Sequence, residues 1–206
     1  MDIELSEVVL KLMDSSEHTG ERLAVALTVA DVMGMDLPLQ ALQADREGTA
    51  RAAMDKWGLS GVGVRHGNDW AGVALVAPQD AIPQYHPLSA GGIDCATAGL
   101  ILIYVDPTVS SLIMGKRLCV ALTRYLRTSL SGIEAQGMPT PIASTLAPPA
   151  TWLVRMGFHA VRYPTGRYRL DFDTMVTWMQ KYLQWYRRPV IGLAGQPANR
   201  TYRLDS

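Results

Sequence analysis

Residues 96–119 read ATAGLILIYVDPTVSSLIMGKRLC, and this stretch decides the fold. Its first half is an almost unbroken apolar run, the pattern of a strand covered on both faces, which belongs at the centre of a sheet. The turn Asp106-Pro107 ends it. Beyond the turn, Leu118, Leu122, Tyr125 and Leu126 fall on one stripe, with Lys116, Arg117, Arg124 and Arg127 largely off it. That spacing predicts an amphipathic, surface-lying helix over residues 112–130. A strand end, a turn and a helix start form a layout that many enzymes use to hold a phosphate, because the first N–H groups of a helix point at the anion. Here the turn carries Ser, Leu, Ile and Met where a phosphate-gripping turn would want Gly and Arg.

Outward from this centre, "GVGVRHG" and "WAGVALVAP" are short β-type runs that form a hairpin around "GND". "PQDAIPQYHPLSAGG" is rich in proline and glycine and reads as a loop or an interrupted strand. On the far side, "PTPIAST" is expected as a short strand, and "PPATWLVRMG" as a short helix opened by proline and stopped by Gly157. "FHAVRYPTGRYRLDF" is read as two strands around "PTG". A final helix starts near Asp173 and carries Met175, Trp178, Met179, Tyr182 and Trp185 at helical spacing up to Pro189. The tail that follows has no periodicity and is read as extended. At the front, "SEVVLKLMD" reads as a short strand or a helical turn. Leu23, Ala26, Leu27, Ala30 and Met33 predict a helix over about 19–33, and "DLPLQALQADREGTARAAMDKW" a second helical segment.

With 206 residues and 48% apolar side chains the chain can bury a core of its own. No run is long enough to span a membrane, and the first residues lack the order of a secretion signal, so a cytoplasmic protein is expected. Cys95 and Cys119 have no metal-spaced partners and are read as buried thiols; His18, His66 and His159 likewise lack such partners. The net charge of zero hides a gradient, from −6 over residues 1–60 to +6 over residues 151–206. Such a chain can set an acidic face against a basic one, its own or a neighbour's.

The order of elements, "LILIYVDP" running into "GKRLCVALTRYLR", and the later "WLVRMGFHAV" resemble the Gcn5-related N-acetyltransferases, the GNAT superfamily, over roughly residues 58–172. The resemblance implies an α+β fold with a mixed, mostly antiparallel sheet flanked by helices. Residues 1–57 form its helical front part and 58–172 its sheet core, with residues 173–206 an added helix and tail. It implies coenzyme A, with the pantetheine arm along Ile103, Tyr104 and Val105 and the pyrophosphate at Ser111, Leu112, Ile113, Met114, Gly115 and Lys116. It also exposes departures. In the six-residue loop Ser110–Gly115 only Gly115 matches the family; Ser110 replaces Arg or Gln, and Ile113 stands where the fourth-position glycine lets phosphate approach. Leu153 replaces the family tyrosine. The central strand lacks a glutamate base, which leaves His86 and Asp94 as candidate bases.

Three readings follow. The first is a non-catalytic binding or assembly protein with a degenerate acyl-CoA site and no cofactor. Ile113 and Met114 would cover the loop amides, and a protein partner or a second copy would be gripped by Trp178, Tyr182, Trp185, Tyr186, Arg187 and Arg188. The same aromatics can instead pack on the sheet. Since GNAT-like proteins occur among tailed-phage products, a virion component fits this reading. The second is an acetyl-CoA-dependent N-acyltransferase acting on an amine. The third, nucleic-acid binding, rests on Arg162, Arg167 and Arg169 alternating with Tyr163 and Tyr168, and the zero net charge counts against it.

Overall fold

The computed structural model describes residues 24–35, 45–139, 147–162 and 166–186. Its centre is β4 (Thr97–Val105), fourth of seven strands in the order β1-β2-β3-β4-β5-β7-β6. The remaining strands are β1 (Val25–Leu27), β2 (Gly61–His66), β3 (Asp69–Ala77), β5 (Gly132–Gln136), β6 (His159–Arg162) and β7 (Arg167–Asp171). Every neighbouring pair is antiparallel except β4 and β5. A parallel pair needs a crossover, and α3 (Ser111–Leu126) supplies it.

The helix α3 lies on one face of the sheet, where Met114, Leu118, Leu122 and Leu126 join Val62, Ala74, Leu100 and Ile133 in the larger core cluster. Val120, Ala121 and Thr123 are buried as well, so α3 is less surface-lying than its stripe implies. It also packs against α4 (Ala150–Met156) and α5 (Phe172–Tyr186). Gly157, left-handed at φ 102°, stops α4, as its position in the sequence implies. The opposite face is covered by α1 (Val29–Gly34), α2 (Arg46–Trp57) and the long connection 78–96, which pack over Val73, Leu75, Ile101 and Leu102.

Two elements differ from the sequence expectation. Residues 25–27, expected inside a helix, pair with Gly61–Gly63 as β1, and the helix starts only after Thr28. Thr28 and Asp31 form a reciprocal capping box, which sets that start. Strand β5, "GIEAQ", was not expected at all. The expected strand at 139–145 and the segments 1–23 and 187–206 fall largely or wholly outside the described residues.

The thiols also divide. Cys119 is buried in α3, and burial pushes its thiol up to about 12, whereas Cys95 is exposed, against the expectation for both. A disulfide exchange reagent at pH 8 should therefore titrate one thiol in the folded protein and two after denaturation. Two fast equivalents in the folded state would contradict the packing of α3. No helix of the described residues is long and apolar enough to cross a membrane.

Candidate functional site

The site is set by where the sheet opens. The β4–β5 ladder holds Thr97, Ala98 and Gly99 against Gly132, Ile133 and Glu134, and it ends there. From Leu100 to Val105, β4 runs on beside β3 with no rung to β5, which leaves a cleft between the two strands. Ile103 and Val105 face the α3 side and Tyr104 the other. Tyr104 is half-buried, and burial, with Asp106 nearby, raises its phenol above the usual value.

At the mouth of the cleft the chain turns through Asp106, whose Oδ1 accepts from the Thr108 amide at 2.7 Å and the Thr108 hydroxyl at 2.5 Å. These bonds hold the Asp106 carboxyl below its usual range. The turn delivers the chain to Ser110, the N-cap of α3, which makes no side-chain capping bond. The amides of Ser111, Leu112 and Ile113 are first-turn donors with no intrahelical acceptor. Of the two side chains expected to lie over them, Met114 is buried, and its Cγ and Sδ fill the space above Gly72. Ile113 is 53% exposed.

Gly115, the one family match, has a packing role. A Cβ there would lie 2.3 Å from Trp152 Cζ2 and 2.6 Å from Met156 Sδ, so its absence lets α4 close on α3. Lys116 turns from the cleft, its ammonium 5.3 Å from the centroid of Trp178. Ser111 is exposed and Leu112 half-buried against the core.

The candidate bases are committed elsewhere. His86 is buried; its Nδ1 accepts from the Leu88 amide at 3.1 Å, which puts the ring proton on Nε2, 3.0 Å from the Ile101 carbonyl oxygen. Ile101 is the extra residue of a bulge in β4, opposite Leu75 and Val76, so His86 closes a backbone irregularity. Asp94 is lowered below its usual value by the Ala96 amide and by Arg169, 3.2 Å away, which makes it a weaker base. Leu153 lies fully inside the core.

A group that sequence reasoning missed lies at the vertex of the cleft. Glu134, on the last rung of the β4–β5 ladder, is buried with Arg167, with 5% and 4% of their side chains exposed and 3.6 Å between Oε2 and Nη1. Arg167 donates to the carbonyls of Leu88 and Ala90 at 2.8 Å each and to that of Gly92. It thereby clamps the 78–96 connection over the sheet. The only foresight available was that buried acid and base occur in pairs, and 33 residues separate these two.

The basic surface expected on β6 and β7 is not formed as read. Arg167 is inside, and Arg169 is one-fifth exposed and paired with Asp94 and Asp171. Tyr163 lies outside the described residues. Of the expected interface, Trp178 is 41% exposed and borders a cavity of ≈ 140 Å³ with Val154, Met156 and Met175. Tyr182, Trp185 and Tyr186 fall in the last turns of α5, and Arg187 and Arg188 lie outside the described residues. Among the described residues no three His, Cys, Asp or Glu side chains gather as a metal site.

A front helical pair, the strands β2–β3–β4, the crossover α3, then α4 and the β6–β7 hairpin follow the order of elements on which the sequence resemblance rests, and the structure adds β5 and the split between β4 and β5. The fold is GNAT-like. No family model and no curated protein matches the sequence. Among solved structures, the chain is similar to a putative acetyltransferase of the GNAT family from Desulfovibrio desulfuricans, at 19% identity over 70% of this chain and 88% of that one, TM-score 0.42. It is also similar to a point mutant of KacT, at 11% identity over 77% of this chain and 99% of that one, TM-score 0.47. The GNAT-like architecture puts the uncapped end of α3 beside the unpaired stretch of β4. Free strand-edge groups can pair with an extended chain of amides, and free helix amides with an anion.

Proposed function

We propose that this chain is an N-acyltransferase that takes its acyl group from a coenzyme A thioester. The observation that carries the reading is the β4–β5 ladder ending at Gly99 and Glu134, which leaves Leu100–Val105 unpaired toward a cleft headed by the uncapped α3. Bound coenzyme A would supply the acyl group as a thioester: the C–S bond breaks as the C–N bond to the amine forms, the amine gives up a proton, and coenzyme A leaves as its thiol. The chain's part is to hold the donor along Ile103, Tyr104 and Val105 and at the amides of residues 111–113, and to place the amine beside it. Alignment of two reactants is itself a large source of rate, on the order of 7–11 kcal/mol at its limit. That supports transfer even without the family tyrosine.

A titration tests the reading. Ile113→Glu adds a carboxylate to the first turn of α3, where it favours the helix dipole, so folding stability should be unchanged or slightly raised. The same charge opposes a pyrophosphate, and coenzyme A should bind about tenfold or more weakly. Isothermal calorimetry on both proteins measures this. No heat with the unaltered chain at millimolar coenzyme A would reject the reading.

The second reading is a non-catalytic binding or assembly protein. It is favoured by Leu153, buried where a proton donor would stand, and by the apolar pair Val154 and Trp178, 56% and 41% exposed beside the α3–α4–α5 cavity. Coenzyme A binding without transfer to any amine, or no binding with concentration-dependent self-association, would favour it.

A further inference from the structure

Arg46, at the start of α2, ties the two front helices together. Its Nη2 donates to the carbonyls that end α1, that of Val32 and, at 2.9 Å, that of Met35. The guanidinium is drawn in far enough for burial to lower it from its usual value. Its Nε–H lies wholly inside the protein with no protein acceptor, and it is the one such side-chain atom among the described residues. A buried donor on a charged group is costly to leave unmet, and in folded proteins nearly all such groups find a partner, which is often water.

Arg46 also lines a small cavity between α2 and the sheet, together with Thr49, Ala50, Ser60 and the bulge residues Leu75, Val76 and Ile101. It offers the centre of a water molecule ≈ 10 Å³ of space. That is about what a single water needs. Two buried hydroxyls in the lining decide what the cavity can hold. Thr49 gives its proton to the Ala81 carbonyl at 3.2 Å, and Ser60 gives its own to the Ala50 carbonyl at 2.8 Å. Each hydroxyl oxygen keeps free lone pairs and has no proton left to offer. An occupant therefore has to accept from Nε–H and donate to the two oxygens. An anion such as chloride would meet a single donor and two sets of lone pairs, and a metal ion would meet the guanidinium charge. Water satisfies both demands at once.

We propose that this cavity binds one ordered water molecule, which accepts from Arg46 Nε and donates to the hydroxyl oxygens of Thr49 and Ser60. Three bonds are the usual complement of a buried water. The groups it joins are themselves fixed. The Ser60 amide donates to the Leu27 carbonyl at 2.8 Å, its carbonyl accepts from the Val76 amide at 3.2 Å, and Thr49 holds the 78–96 connection at Ala81. Through the water, the end of α1, the first turn of α2, strand β1 and that connection become one hydrogen-bonded unit, so a bound molecule seats the front helices alongside their apolar packing.

Two measurements on the full chain test this. In the nitrogen-15 labelled protein, Arg46 Nε–H should show a direct dipolar cross-peak to a long-lived water. A proton that exchanges freely with bulk solvent, one with no cross-peak to water, or one whose resonance follows the chloride concentration overturns the proposal. The second measurement counts long-lived internal waters by oxygen-17 relaxation dispersion in the unaltered protein and in Arg46→Lys. Lysine sets a methylene where arginine has Nε, and its ammonium still reaches toward the Val32 and Met35 carbonyls, so the water loses its donor while the link to α1 keeps one. The count should fall by one, with the circular dichroism of the fold unchanged. An equal count in the two proteins overturns the proposal as well.

Discussion

Arg167→Met should destabilise the fold by about 3–5 kcal/mol, the largest single-residue effect expected outside the apolar core. The substitution retains a side chain of similar length, so lost volume is a minor part of the cost. What goes is the counter-charge of Glu134, left buried at 5% exposure with only distant partners, and the donor to three carbonyls of the 78–96 connection. For a chain of this length each kcal/mol lowers the melting temperature by about 2–4 °C, so a fall of roughly 10 °C is expected by calorimetry. The double variant Arg167→Met with Glu134→Leu removes both charges and should recover part of the loss, because an apolar replacement of a whole buried pair is often neutral. A single variant within 1 kcal/mol of the unaltered protein would mean that the pair is exposed in solution and the connection is held by other contacts.

This ion pair also explains why part of the fold was legible in the sequence and part was not. Strand β4 and α3 could be read because each is set by local pattern: a run of apolar residues, an Asp-Pro turn, then leucines four apart. The β2–β3 hairpin and α4 were equally local, the first marked by Gly67-Asn68 and the second by Pro149 and Gly157. Strand β5 is five residues long with a glutamate at its middle, and nothing local says that this glutamate is buried; its reason is Arg167, on a strand three elements later. Strand β1 was concealed differently. Three residues cannot display a period of two against the helical spacing of Leu23, Ala26, Leu27 and Ala30, and pairing with Gly61–Gly63 decides the matter. The Thr28 and Asp31 capping signal was present in the sequence and marks where the helix begins.

The donor loop shows a related limit. Matching residues to a family pattern assigned Gly115 to phosphate and Ile113 to obstruction. In three dimensions Gly115 faces Trp152, while Ile113 stands in solvent at the head of α3. A residue's place in a motif gives its distance along the chain, whereas its direction depends on what packs beneath it. Met114 and Leu118, anchored on the sheet, rotate the helix so that position 115 meets α4.

Leu153 carries the second large prediction. It is fully buried in the core that α4 shares with α3 and the sheet, alongside Met156, Phe158 and Leu170. Leu153→Ala removes the branched end of that side chain and should cost about 2–5 kcal/mol, read by urea unfolding with an unchanged slope. Leu153→Tyr restores the residue type of the family position and gives the sharper test. If the side chain points inward as the fold has it, the ring must overpack the α3–α4 interface and its hydroxyl must be buried without a partner. Each of these costs about 1–3 kcal/mol, and no gain in acyl transfer should accompany them. A tyrosine variant as stable as the original, with transfer to an amine increased, would place residue 153 on the wall of the cleft and reverse the orientation of α4 on which the packing of Gly115 depends.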